Sequence, residues 1–251
     1  MSINRRNFLK IGGAFTLGLG LFPLKNVVAS GIGHGADVKS AGGKNWAMVI
    51  DMKKLEPDLE ACISACHKTH NVPDIGNAKE EVKWVWTDSF ARLFPTINHN
   101  YSNISDKKFL ALCNHCENPA CVRVCPTKAT FKNNEGIVMM DFHRCIGCRY
   151  CMAACPYGAR SFNFREPRPY IEEINPQYPT RTKGVVEKCN FCTERLAEGL
   201  LPACVEASQN GGLLFGDLND PNSEVRKVLA SQNTLQRKYS LGTEPKVFYI
   251  V

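Results

Sequence analysis

The sequence predicts an α+β fold of short strands and small helices wrapped around cysteine-bearing turns, and three observations predict it. First, 13 cysteines in 251 residues stand in four tight groups. Second, two adjacent groups, CNHCENPACVRVCP (113–126) and CIGCRYCMAACP (145–156), both end in Cys-Pro and leave by similar segments, CPTKAT and CPYGAR, so the middle of the chain is an internal two-fold repeat. Third, the stretches between the groups are short and apolar. ATFKNNEGIVMMDFHR reads as a turn at Asn133–Gly136 and a strand at Ile137–Met140. VKWVWTDSF reads as a strand with Trp84 and Trp86 on one face, SEVRKVLASQ as a short helix capped by Ser223, and KVFYIV as a closing strand.

Composition narrows the function. A 44% hydrophobic fraction excludes wholesale disorder, and the length suits one large domain or two small ones. Of the formal charge of +7, +4 comes from Arg5, Arg6, Lys10 and Lys25 within residues 1–29, which contain no acid, so the remainder carries only +3. No basic run interleaved with aromatics follows residue 30, and the expected partners do not include nucleic acid. Residues 1–29 pair Arg5 and Arg6 with the apolar run Ile11–Leu24, then end on small residues at Val27 and Ala29. They resemble a twin-arginine export signal, which implies a periplasmic protein. The run has 14 residues with four glycines and a proline, whereas a spanning helix needs about 20 apolar residues. Residues 30–44 read as a flexible lead.

The third cysteine group reads C-x2-C-x2-C-x3-C-P, the bacterial ferredoxin run, in which three cysteines bind one [4Fe–4S] cluster and the fourth reaches the other. Two residues between ligands let one tight turn present successive sulfurs while its N–H groups face the cluster sulfides. Gly147 gives such a turn its freedom in φ. Structural zinc prefers two separated pairs, and cysteines this close make poor long-loop disulfides. The spacing therefore assigns Cys113, Cys116, Cys121 and Cys155 to cluster one, and Cys145, Cys148, Cys151 and Cys125 to cluster two.

These groups, with WAMVIDMKK, EKCNFCTERLAEGLLPAC and FGDLNDPNSEV, resemble the four-cluster ferredoxin subunits of dimethyl-sulfoxide, polysulfide and formate-type oxidoreductases over nearly all of residues 45–250. The resemblance implies two bacterial ferredoxin-like modules: an inner one at about 108–165 and a discontinuous outer one from about 45–70 plus 184–218. Within 45–218 the first and last cysteine groups then reciprocate, and 219–251 adds a helix and a strand. It also implies cluster three on Cys189, Cys192, Cys204 and Cys66. The family pattern has two further cysteines before Cys62, where this chain reads LEPDLEA, and one at Ser208. All three losses fall on one cluster, so three [4Fe–4S] clusters are expected and Cys62 and Ser208 are expected to ligate nothing. An atypical fourth cluster on Cys62, Ser208 and Glu56, Asp58 or His67 is the competing arrangement. His67 and His70 are expected at the surface or in hydrogen bonds.

The missing cluster and the export signal make the chain look most like the iron–sulfur subunits of Dsr-type transmembrane complexes of sulfur metabolism. That likeness implies a non-catalytic electron carrier. Its partners would be a quinone-reactive, polysulfide-reductase-type membrane subunit, a periplasmic multihaem cytochrome c and the other membrane-complex subunits. The alternative is the electron-transfer subunit of a molybdopterin oxidoreductase of polysulfide, tetrathionate or nitrite-reductase type. A reductase acting at an open iron and a zinc-structured interaction module are the readings from other classes. Finally, the apolar core is expected to be small for the length, with cluster ligation supplying much of the folding energy.

Overall fold

The computed structural model describes residues 43–97 and 104–250, all within one unit spanning 37–251. The export-signal assignment and nearly all of the flexible lead lie outside the described residues. In chain order the strands are β1 (Trp46–Asp51), β2 (Val85–Ser89), β3 (Lys108–Leu112), β4 (Thr130–Lys132), β5 (Val138–Met140), β6 (Ser161–Phe162), β7 (Val186–Glu187), β8 (Leu213–Asp217), β9 (Thr234–Leu235) and β10 (Val247–Ile250). The helices are α1 (Met52–Leu55), α2 (Leu59–Thr69), α3 (Phe90–Leu93), α4 (Ala120–Arg123), α5 (Tyr150–Ala153), α6 (Thr193–Ala197), α7 (Ala203–Glu206) and α8 (Glu224–Ser231). No helix among the described residues is long and apolar enough to cross a membrane.

The four-stranded sheet has the order β8-β1-β10-β9, with β1 antiparallel to β8 and parallel to β10. Ala47, Met48, Val49 and Ile50 of β1 are all fully buried, as a central strand covered on both faces requires. Met48 and Ile50 face the main core, whereas Ala47 and Val49 pack with Val225 of α8. Ser223 caps α8 as the sequence predicts, accepting from the Arg226 N–H at 3.3 Å. The Asp51 carboxylate caps α1 by accepting from the N–H groups of Lys53 and Lys54. This sheet ties the N-terminal cysteine helix α2 to the last cysteine group, because β1 leads into α1 and α2 while β8 follows α7. α2 packs directly on α7.

Three two-stranded ribbons, β2-β3, β4-β5 and β6-β7, complete the β-structure. The β4-β5 turn is the predicted one: Asn133 Oδ1 accepts from the N–H groups of Glu135 and Ile137, and Gly136 takes φ +73°. The β2 strand starts at Val85, later than expected, because Trp84 is committed elsewhere. Its indole N–H donates to Glu187 Oε2 at 2.9 Å, and Glu187 also pairs with Arg181 at 2.6 Å, all fully or nearly fully buried. Trp86 is half-buried at the edge of the core.

The core is larger than the sequence reading expects. A single cluster runs from Met48 and Ile50 through Leu55 and Cys62 to the aromatic group Phe90, Phe94, Phe109 and Tyr249. Residues far apart in the chain supply it.

Candidate metal centres

The second and third cysteine groups converge on two neighbouring cavities. The first is lined by Cys113, Cys116, Cys121 and Cys155 together with Asn114 and Arg160. The second is lined by Cys125, Cys145, Cys148 and Cys151 with Gly147 and Met140. Each cavity thus receives three thiols from one group and one from the other. The last group meets the first elsewhere. Cys66, from α2, feels the charges of Cys189, Cys204 and Cys192 from the α6 and α7 region, and all four are buried. All thirteen cysteines are free thiols.

One backbone device recurs in three of the four C-x2-C turns, those from Cys113, Cys145 and Cys189. The residue before the second cysteine is left-handed in each: His115 at φ +42°, Gly147 at +71° and Phe191 at +55°. L-residues avoid this region, so its recurrence marks a requirement of the turn. The Phe191 N–H donates to Cys189 Sγ at 3.4 Å, and the Ala203 N–H to Cys192 Sγ at 3.4 Å. Only Gly147 announces itself in the sequence. There an added Cβ would lie 2.5 Å from the Gly184 carbonyl oxygen.

The electrostatics of the thiols point to a cationic centre. Burial, followed by the negative charge of Cys113, pushes the Cys116 thiol up to about 12, and the same two causes bring Cys189 to about 12. Cys66 and Cys204 are raised well above the ordinary thiol value by burial and then by their cysteine neighbours. In the third set, where Cys66, Cys189, Cys192 and Cys204 are all raised, the four thiols ionise together only around a positive charge, as metal binding supplies. Two further observations fit an iron–sulfur cluster in cavity one. The buried Asn114 amide lines it without a hydrogen-bond partner, an orphaned donor of the kind that a sulfide accepts. Arg160, 5% exposed, donates from Nη2 to Cys121 Sγ at 3.1 Å.

Cavity one neighbours both other sets: its Cys113 acts electrostatically on Cys189 of the third set, and Arg160, hydrogen-bonded to its Cys121, also feels the charge of Cys151 of the second. Between sets one and three, the His115 ring stacks on Phe191 with centroids 3.7 Å apart. Lys188, fully buried, donates to the carbonyls of Val138 and Cys189. Set two reaches the surface at Cys148, whereas every member of set three is buried.

Ser208 and Cys62, where the family pattern has its fourth ligand set, are engaged within the protein. Ser208 Oγ accepts from the N–H groups of Gly212 at 3.0 Å and Leu213 at 3.2 Å. Gly212 packs so tightly on Leu55 that an added Cβ would lie 2.5 Å from its backbone. Cys62 is completely buried, its thiol pushed up to about 11 by burial and by Asp58, against a hydrogen bond with Ser208. Asp58 itself accepts twice from Asn210, Glu56 is exposed, and His67 Nε2 is hydrogen-bonded to the Val85 carbonyl at 3.1 Å. Of the residues in the competing fourth-cluster arrangement, Ser208, Asp58 and His67 thus have hydrogen-bond partners within the protein, and Glu56 lies exposed. His70 is buried between the Cys66 carbonyl (2.9 Å) and Glu194 (2.7 Å) and stacks on Trp84. It brings Cys192 and Glu194 within 4.8 Å of its own ring nitrogens, a grouping that the sequence does not reveal because 124 residues separate His70 from Glu194.

Paired four-thiol cavities in an α+β frame define an iron–sulfur protein of the double-cluster type. A family model described as a 4Fe-4S dicluster domain matches residues 107–218. The chain is 40% identical to the Hdr-like menaquinol oxidoreductase iron-sulfur subunit 1 of Archaeoglobus fulgidus, over 98% of this chain and 97% of that protein. It is 40% identical to one of the polysulfide reductase chains of Wolinella succinogenes, over 82% and 94%, and 33% identical to one of the tetrathionate reductase subunits of Salmonella typhimurium, over 100% and 89%. The chain belongs to this family of iron–sulfur electron-transfer subunits of oxidoreductase complexes and is not itself catalytic.

Proposed function

We propose that the chain is a periplasmic relay holding three [4Fe–4S] clusters. Cys113, Cys116, Cys121 and Cys155 hold cluster one; Cys145, Cys148, Cys151 and Cys125 hold cluster two; Cys189, Cys192, Cys204 and Cys66 hold cluster three. These sets use twelve of the 13 cysteines and leave Cys62, with Ser208, without iron. The observation that carries the reading is the gathering of twelve cysteines into three neighbouring sets, with the Ser208 hydroxyl held by the Gly212 and Leu213 N–H groups and Gly212 packed on Leu55. A bound [4Fe–4S] cluster takes up and passes on one electron at a time. The chain's own residues keep water out of set three, bring set two to the surface at Cys148, and hold neighbouring sets together through Lys188, His115 and Arg160. The two-module division, inner about 108–165 and outer about 45–70 plus 184–218, is supported by the β1-β8 pairing and by the packing of α2 on α7.

In this reading the electrons pass between a quinone-reactive membrane subunit and a periplasmic multihaem cytochrome c in a Dsr-type complex. The name of the Archaeoglobus relative, a menaquinol oxidoreductase subunit, and the engagement of Ser208 and Cys62 within the protein both favour it. The relatives named for polysulfide and tetrathionate reductases favour the molybdopterin-enzyme alternative. Affinity purification of the tagged chain from its native membranes distinguishes the two. Co-purifying c-type haem without molybdenum is the expected result; stoichiometric molybdenum without haem contradicts it.

A further inference from the structure

Arg160 stands five residues after Cys155, and Thr130 stands five residues after Cys125, so the two occupy equivalent places in the internal repeat. They meet: Arg160 Nη1 donates to Thr130 Oγ1 at 3.1 Å. The repeat is thus symmetric in backbone but not in charge. One half contributes a hydroxyl at this junction and the other a guanidinium. Arg160 is 5% exposed, and none of the ion pairs among the described residues joins it to a carboxylate. Its remaining hydrogen-bond acceptors are the Met140 sulfur at 3.8 Å and Cys121 Sγ at 3.1 Å. A buried cation is costly unless an anion faces it. The groups that face Arg160 electrostatically are Cys121 first, then Cys151 and Cys113. By contrast, the buried Arg181 has a carboxylate partner, Glu187, at 2.6 Å. Arg160 is therefore neutralised by the thiolates of one cavity and, more weakly, by a thiolate of the next.

A positive charge and a hydrogen bond to a ligand sulfur both favour the more negative, reduced form of a cluster and raise its potential. We propose that Arg160 is a potential-setting residue that raises cluster one relative to cluster two, which makes the two halves of the repeat electronically unequal. The inference rests on the ligand sets proposed above and adds to them a direction and an ordering.

The test is an EPR-monitored redox titration of the anaerobically purified full chain. Its signals are assigned with the Cys116→Ser and Cys148→Ser variants. Arg160→Met is expected to retain about twelve irons, to move cluster one to a more negative potential and to move cluster two the same way by less. Arg160→Lys keeps the charge but loses the planar fork; it is expected to retain full iron and to show a partial shift of cluster one. It carries the test if the Met variant loses iron. Full-iron variants with unchanged potentials, or a larger shift at cluster two, overturn the proposal. A wild-type chain without three [4Fe–4S] centres overturns the ligand sets instead.

Discussion

In the proposed three-cluster relay, Ser208 and Gly147 are the single residues on which the number of clusters turns. Ser208 stands after helix α7 as Cys125 stands after α4, yet its hydroxyl is spent on the N–H groups of Gly212 and Leu213. Ser208→Ala leaves both N–H groups buried without an acceptor. Stability is expected to fall by about 1–3 kcal/mol, read from the denaturation midpoint, with iron unchanged. Loss of iron from this variant contradicts an unliganded Ser208. Gly147 makes the opposite case. With φ at +71° and the Gly184 carbonyl oxygen 2.5 Å from an added Cβ, Gly147→Ala distorts the turn that carries Cys145 and Cys148. Iron is expected to drop from about twelve to about eight per chain, with cluster one and cluster three retained in EPR. A full complement of iron in Gly147→Ala refutes the importance assigned to this turn.

Among the elements, the cysteine-bearing turns and the strands that carry them draw stability from different sources. Strand β1 is buried on both faces, and the aromatic group around Phe109 and Tyr249 belongs to the same core. The C-x2-C turns have left-handed residues at His115, Gly147 and Phe191 and raised thiols at Cys116 and Cys189. Chelation of the iron is therefore expected to release the turns while β1, β8 and β10 stay protected. Hydrogen exchange of the holo and chelated proteins measures this difference. Uniform loss of protection indicates that the clusters hold the whole fold, as the sequence reading expects. The local elements were legible because their signals are local. Ser223 caps α8, Asn133 and Gly136 make the β4-β5 turn, and C-x2-C-x2-C-x3-C-P fixes the partners of two cavities. The core was underestimated, and the pairing of β1 with β8 was not read from the residues, because about 170 positions separate Trp46 from Asp217. The left-handed His115 and Phe191 were hidden for another reason: neither residue type advertises a positive φ.

For the whole molecule, the proposal is a row of three centres with one end at the surface near Cys148 and the other enclosed around Cys66. Its charge follows the same plan. Each oxidised cluster with four thiolates carries about −2, so three clusters would add about −6 and turn the +3 that the chain carries beyond residue 29 into about −3. The buried cations Arg160 and Lys188 then lie at the junctions between sets, where that negative charge is densest. The most direct measurement is the iron and acid-labile sulfide content of the anaerobically purified chain, combined with Mössbauer spectroscopy. About twelve of each per chain, all in cubane centres, is the expected result. A value near sixteen, with a fourth cubane or a three-iron centre assigned beside Cys62 and Ser208, contradicts it.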